Sequence, residues 1–268
     1  MDRNPQAKQM ADESMVRTLA AQADAIWPQE EPIARAYAPP AAILDVGCGT
    51  GEFTARIARL FPAARTIGVD IVDAHLERAR ERCKAFGDRV TFQHADAFEL
   101  PFADGTFDLV ACRHMLQAIP DAPRVLAQLV RVLKPGGRLH VIAEDYGMIH
   151  VTSPRVDLAT FWFEVPRAFG RATGTDLQIG RHVVGHLRAL PVDEVRIHYL
   201  AIDTLRVPRA TLAAIFEAWR DGYVAPIAQQ LDLPDAEIRR GFDATIDAIC
   251  DPDGFALWLV PLVLARRA

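Results

Sequence analysis

The stretch Ile43-Leu44-Asp45-Val46-Gly47-Cys48-Gly49-Thr50-Gly51 constrains the fold more than any other part of the chain. It reads as a short buried strand carrying an acidic residue near its end, then a Gly-x-Gly-x-Gly turn that runs into a helix predicted over Glu52–Leu60. Glycines at Gly47, Gly49 and Gly51 let the backbone turn tightly and approach a ligand more closely than a Cβ would allow. The next predicted strand, Thr66-Ile67-Gly68-Val69-Asp70, also ends in a carboxylate. An acid at that point can accept hydrogen bonds from both ribose hydroxyls of a nucleoside.

A dinucleotide fingerprint would read G-x-G-x-x-G and set a pyrophosphate on a helix N-terminus. This turn is one residue tighter, and Asp45 stands on its strand side, which suits a ligand bearing an amino group and a sulfonium better than one bearing phosphates. Further along come Ala95-Asp96-Ala97-Phe98 and Leu133-Lys134-Pro135-Gly136-Gly137, in order and one βαβ unit apart. With these motifs the chain resembles the class I S-adenosylmethionine (SAM)-dependent methyltransferases, strongly over residues 40–145 and in outline beyond. The resemblance implies SAM as cofactor and S-adenosylhomocysteine as product. It implies that Gly47, Gly49 and Gly51 form the turn at the methionine portion, with Asp45 near its ammonium. Asp70, with Ile71 beside it, would hold the ribose, Asp96 the adenine amino group, and Ala97 and Phe98 would flank the base. Arg113, beyond strand four, completes the cofactor set. Read without the resemblance, Asp45 and Asp70 are also compatible with solvated strand ends, and Asp96 with a turn or helix cap.

The composition agrees with a single large domain, or a domain with an inserted cap: 268 residues, half of them hydrophobic. The net charge of −5 is spread without a basic tail, which argues against a nucleic-acid partner. The opening Met1–Pro5 shows no apolar signal and no 18-residue apolar run follows, so neither a leader nor a membrane partner is expected. Cys48, Cys83, Cys112 and Cys250 are scattered and read as reduced core or helix residues, with a cytoplasmic location and no metal.

Alternation of strands and helices predicts a doubly wound, mostly parallel seven-stranded α/β sheet with a helical cap. Ala7–Ile26 reads as a helical lead-in ended by Trp27-Pro28, so that residues 1–40 form a lid. Residues 41–145 form the cofactor-binding core, 146–193 an inserted helical cap, and 194–268 the last strands, interrupted by helices over 208–250. Pro135-Gly136-Gly137 reads as the turn between a helix and strand five.

Methyl transfer asks the protein to orient an acceptor, exclude water and, where needed, remove a proton. Cys112-Arg113-His114-Met115-Leu116-Gln117 lies at the mouth of strand four, without the Asn/Asp-Pro-Pro-aromatic or Pro-Cys signatures of enzymes acting on nucleobases or glutamine side chains. His114 is the leading candidate base, because an ordinary imidazole titrates near neutrality. Glu144-Asp145-Tyr146 and His150 end strand five and form a second catalytic set, led by Glu144 and His150. His182 and His186 share a helix face at i,i+4 spacing but lack a third metal ligand. Phe161, Trp162, Phe163, Trp219 and Tyr223 read as core or cap packing, with an aromatic acceptor as the alternative for some of them. The chain is thus expected to methylate a small-molecule acceptor in secondary metabolism, as monomer or homodimer. Non-methylating chemistry such as cyclisation, and a non-catalytic SAM-binding module, are the rivals.

Overall fold

The computed structural model describes Gln6 and residues 12–268. The opening Met1–Pro5 and the start of the expected lead-in helix, Ala7–Ala11, lie outside the described residues. At the centre is β1 (Ala42–Val46), flanked by β2 (Arg65–Asp70) and β4 (Phe107–Arg113), with β3 (Val90–His94) outside β2. All of these run parallel, as does β5 (Leu133–Ile142) beside β4. Crossovers are made by α2 (Glu52–Leu60), α3 (Asp73–Cys83) and α4 (Ala122–Val132). Near-continuous burial of β1 and β4 is what a parallel sheet covered on both faces requires.

The sheet has eight strands rather than the expected seven. The long β8 (Ala256–Arg267) lies antiparallel between β5 and β7 (Val192–Asp203). β5 pairs with only part of it, up to Ile142↔Leu262, and the chain then leaves the sheet at Ala143. It rejoins as the short β6 (Ile149–Val151) opposite Ala256–Trp258. The excursion between β5 and β6 carries Glu144, Asp145 and Tyr146 out over the sheet's carboxyl edge. Pro135-Gly136-Gly137 is not a plain inter-element turn: it bulges within β5, where the register with β4 jumps between Phe107 and Leu109. β7 is the outer strand, and there the Gln29 side chain binds Ala201 like a strand partner. Its amide donates to the Ala201 carbonyl at 2.7 Å and its oxygen accepts from the Ala201 amide at 3.0 Å.

The lead-in helix departs from expectation. α1 (Glu13–Arg35) does not end at Trp27-Pro28 but continues through both Pro28 and Pro32. An interior proline costs a helix about 3 kcal/mol, so contacts on its buried face must compensate. Trp27 packs edge-on to Phe53, and Glu30 is completely buried. Arg113 Nη2 donates to Glu30 Oε2 at 2.8 Å, and the other carboxylate oxygen lies 2.7 Å from His140 Nε2. An imidazole donating there keeps Nδ1 free to accept from the Tyr37 hydroxyl at 2.8 Å. Burial pushes the Glu30 carboxyl up, but the Arg113 charge and the His140 hydrogen bond outweigh it and hold the group below the usual carboxylate range.

Beyond β6, α5 (Leu158–Thr173), α7 (Arg209–Leu231) and α8 (Asp235–Cys250) stack with α1 over one end of the sheet, and the short α6 (Val183–Leu187) packs beside α4. Trp162 anchors this layer: its ring meets Phe216 and Phe242 edge-on, and its Nε1 donates to Thr245 at 3.0 Å. Among the described residues no helix is long and apolar enough to cross a membrane. If the Glu30 network holds α1 to the sheet, Glu30→Ala strands the Arg113 charge in a dry site. Urea denaturation should then show a loss of about 3–5 kcal/mol; a loss below about 1 kcal/mol, the scale of an exposed ion pair, would mean the charges reach water.

Candidate active site

Gly47, Gly49 and Gly51 all have positive φ, at 71°, 51° and 77°. The amides of Gly47 and Cys48 both donate to the Val69 carbonyl, which folds the turn back over β2. A Cβ on Gly47 would lie 2.8 Å from Met115 Sδ, and one on Gly49 3.0 Å from Leu19 Cδ1. These two glycines border a cleft closed by Asp70, Ile71, His75 and Ala97. The third points elsewhere: a Cβ on Gly51 would meet Ala79 of α3 at 3.0 Å, so it is a helix-packing glycine.

Asp70 is clamped by its own turn, accepting from the Gly49 amide at 2.8 Å and the Val72 amide at 2.9 Å. Each carboxylate oxygen keeps a further lone pair for a diol. Asp45 is almost fully buried and takes a 2.5 Å hydrogen bond from Thr54 Oγ1. Burial pushes its carboxyl up to about 6 despite that bond. With Gly47, Gln22 and Arg113 it borders a smaller cavity beside the turn. Ala97 lines the cleft, whereas Phe98 is buried in the core with the Arg124 guanidinium near its ring. Asp96 holds the turn, its Oδ1 accepting from the Phe98 amide at 2.9 Å. Of the cofactor candidates the structure therefore gathers Gly47, Gly49, Asp70, Ile71, Ala97 and Arg113 at the cleft, and sets Gly51 and Phe98 apart from it.

A second cavity lies on the other side of His114, beneath α1 and the α5–α7–α8 layer. Its walls are Met15, Leu19, Phe161, Trp162, Phe169, Trp219 and Phe242 among others, with Tyr146 edge-on to Trp219. Leu19, His114 and Ala118 border both cavities. Phe163, by contrast, is on the outside under Arg167 and Arg181.

His114 follows β4 in the left-handed region, with φ 54°, an uncommon conformation for a residue with a Cβ. Two bonds hold it there: its amide donates to the Ile142 carbonyl at 3.0 Å and its carbonyl accepts from Gln117 Nε2 at 2.7 Å. Its Nδ1 sits 2.5 Å from Glu144 Oε1. His114 Nε2, Glu144 Oε2 and Gln117 Oε1 are buried without protein partners. Such atoms are costly unless a ligand serves them.

Two expected members of this set are elsewhere. His150 is exposed on β6: strand alternation buries Ile149 and Val151 and turns the residue between them outward. Asp145 is taken up by a two-point ion pair with Arg181, at 2.5 and 2.7 Å, and caps the turn at Gly147. His182 lies 2.6 Å from Asp176 Oδ2 in an exposed pair. Cys112 is fully buried and its thiol is pushed up, which removes it as a nucleophile. Gln117 closes the segment expected at the mouth of strand four, but the sequence gives it no role of its own; the turn at His114 brings it to the cavity wall. Sequence reading missed His75, buried in the cleft with Nε2 unpartnered and Nδ1 4.0 Å from Asp70.

The cleft fits a nucleoside attached to a cationic amino acid. Two carboxylates stand at the glycine turn, and the guanidinium nearest to them, Arg113, is committed to Glu30. Asp45 therefore costs the ligand-free protein stability. Its ordinary value of 3.8 applies in the unfolded chain, so stability falls as pH rises from about 4 to about 6 and stays low above that. Asp45→Asn, still able to accept from Thr54, should stabilise the fold by up to about 3 kcal/mol at neutral pH. The gain should vanish near pH 4, while SAM binds more weakly. Thermal melts across pH with calorimetry check both; a gain independent of pH would remove ionisation as its cause.

Residues 43–137 match the model of a methyltransferase domain family. Demethylmenaquinone methyltransferase of Symbiobacterium thermophilum is 41% identical over 115 residues, 42% of this chain and 46% of that protein. The 27-O-demethylrifamycin SV methyltransferase of Amycolatopsis mediterranei is 46% identical over 99 residues, 36% of each chain. The matched stretch thus spans less than half the length of these curated relatives. Among solved structures the [4+2]-cyclase SpnF superposes with a TM-score of 0.52 at 21% identity, over 85% of this chain and 75% of that one. Glycine turn, the acid that ends β2 and the sheet order agree with the family match: residues 43–137 are a class I SAM-dependent methyltransferase domain, whose cofactor is S-adenosyl-L-methionine.

Proposed function

We propose that the protein transfers the methyl group of SAM to a small apolar molecule of quinone or natural-product type, with His114 as the base. The observation that carries this reading is the position of His114, paired to Glu144, on the wall shared by the cofactor cleft and the aromatic cavity. Bound SAM supplies an electrophilic methyl on a sulfonium; the side chains do the rest. Asp70 and the Gly47–Gly49 backbone would hold the nucleoside and methionine portions, with Asp45 near the ammonium. Glu144 Oε1 accepts a hydrogen bond from His114 Nδ1–H, which fixes the tautomer and leaves Nε2 to take a proton from an acceptor hydroxyl. The aromatic walls exclude water and hold the acceptor for in-line attack. The first half of α1, carrying Met15, Leu19 and Gln22, borders the apolar cavity and is the part of residues 1–40 suited to act as a lid.

His114→Ala should lower kcat by roughly 10²–10⁴ while the Kd of SAM stays within a few-fold. S-adenosylhomocysteine release with hydroxylated acceptors is the assay. Undiminished turnover in His114→Ala would move the proton transfer elsewhere. The aromatic cavity could also hold an extended chain folded for cyclisation, a reading supported by the same walls. Product formation without S-adenosylhomocysteine release would favour it.

A further inference from the structure

At the His114 end of the aromatic cavity the buried side-chain atoms without a protein partner are His114 Nε2, Gln117 Oε1 and Glu144 Oε2. Gln117 donates one amide N–H to the His114 carbonyl, and its Oε1 is buried with no protein partner. With His114 Nδ1–H donating to Glu144 Oε1, the neutral imidazole likewise has only the acceptor Nε2 left, and the remaining oxygen of the Glu144 carboxylate can only accept. All three side chains line the cavity, and all are more than nine-tenths buried. Among the described residues no lysine or arginine lines it, and the one basic side chain beside Glu144 on the wall is His114.

From this we infer that the acceptor is an uncharged apolar molecule presenting two adjacent hydrogen-bond donors, such as a vicinal diol on an aromatic frame. The inference rests on the reading of this cavity as the acceptor site. One hydroxyl meets His114 Nε2 and is the group to be methylated: its proton passes to the imidazole, its oxygen forms the bond to carbon, and the sulfonium leaves as thioether. The neighbouring hydroxyl donates to Gln117 Oε1 or Glu144 Oε2 and keeps its proton. A carbonyl or ether would bring lone pairs against lone pairs. A phosphate or carboxylate would meet the Glu144 charge in a site with few compensating donors, an unfavourable pairing in a low-dielectric cavity. Methylation itself destroys one donor, so the product fits the acceptor cluster less well than the substrate and is released.

Titration of tryptophan fluorescence tests this, because Trp162 and Trp219 line the cavity. The wild-type protein with added S-adenosylhomocysteine would be titrated with a vicinal dihydroxynaphthalene, a mononaphthol, the dimethoxy analogue and naphthyl phosphate. The diol should bind about tenfold or more tightly than the mononaphthol, and the dimethoxy compound and the phosphate more weakly still. Gln117→Leu should shrink the diol's advantage and leave the mononaphthol nearly unchanged. Equal binding of diol and dimethoxy compounds, or tight binding of the phosphate, would overturn the inference on wild-type protein alone. Incubation of the same compounds with SAM separates the two readings. Diol preference without S-adenosylhomocysteine release leaves the donor requirement standing and defeats methyl transfer. Release irrespective of donor number does the reverse.

Discussion

The pairing of Glu30 with Arg113 is the interaction on which the rest of the site depends. It joins a helix from the start of the chain to the last residue of the central strand β4, in a place that water does not reach. A charge in such a place is stable only while its partner stays, so α1 cannot lift at its carboxyl end without stranding a guanidinium. The next residue after Arg113 is His114, and the anchored strand end is what allows the backbone there to turn into a left-handed conformation. Helix, ion pair and imidazole thus form a continuous support from the sheet to the wall shared by the two cavities.

Around that support the two cavities differ in character. The cleft at the glycine turn is made of backbone and carboxylates, as a cationic nucleoside requires. The cavity under the helical layer is made of rings set edge to face, with Trp219 bridging Tyr146 and Trp258. A low-dielectric wall strengthens whatever polar contact is made inside it. The same wall is what makes the His114–Glu144 pair effective rather than merely present.

Much of the parallel sheet and its turn was legible in the sequence because those features are local: strand, glycines, acid and helix follow one another within a few residues. That Asp70 and His114 stand at the cleft was legible for the same reason, since each ends a strand. What escaped depended on long-range closure. Pro28 and Pro32 signal a helix end by local rules, and only the burial of Glu30 against β4 and β5, more than eighty residues away, overrides them. His150 looked equivalent to Glu144 along the chain, yet the unforeseen strand β6 fixed its parity and turned it to solvent. Phe98 belonged to an expected adenine wall by motif, but the adjacent core claimed its ring.

The contact between Gln29 and Ala201 has a consequence beyond this molecule's own packing. β7 is a twelve-residue strand with its outer edge uncovered along much of its length, and Ile197 and Tyr199 show on its surface. Such an edge invites another chain to add itself. By occupying both the amide and the carbonyl of Ala201, the glutamine takes the place of the strand that would otherwise extend the ladder. Side chains of opposite charge and an imidazole, at Glu194, Arg196 and His198, line the remainder of the edge. One amide side chain from a distant helix therefore closes this point of the edge to an added strand.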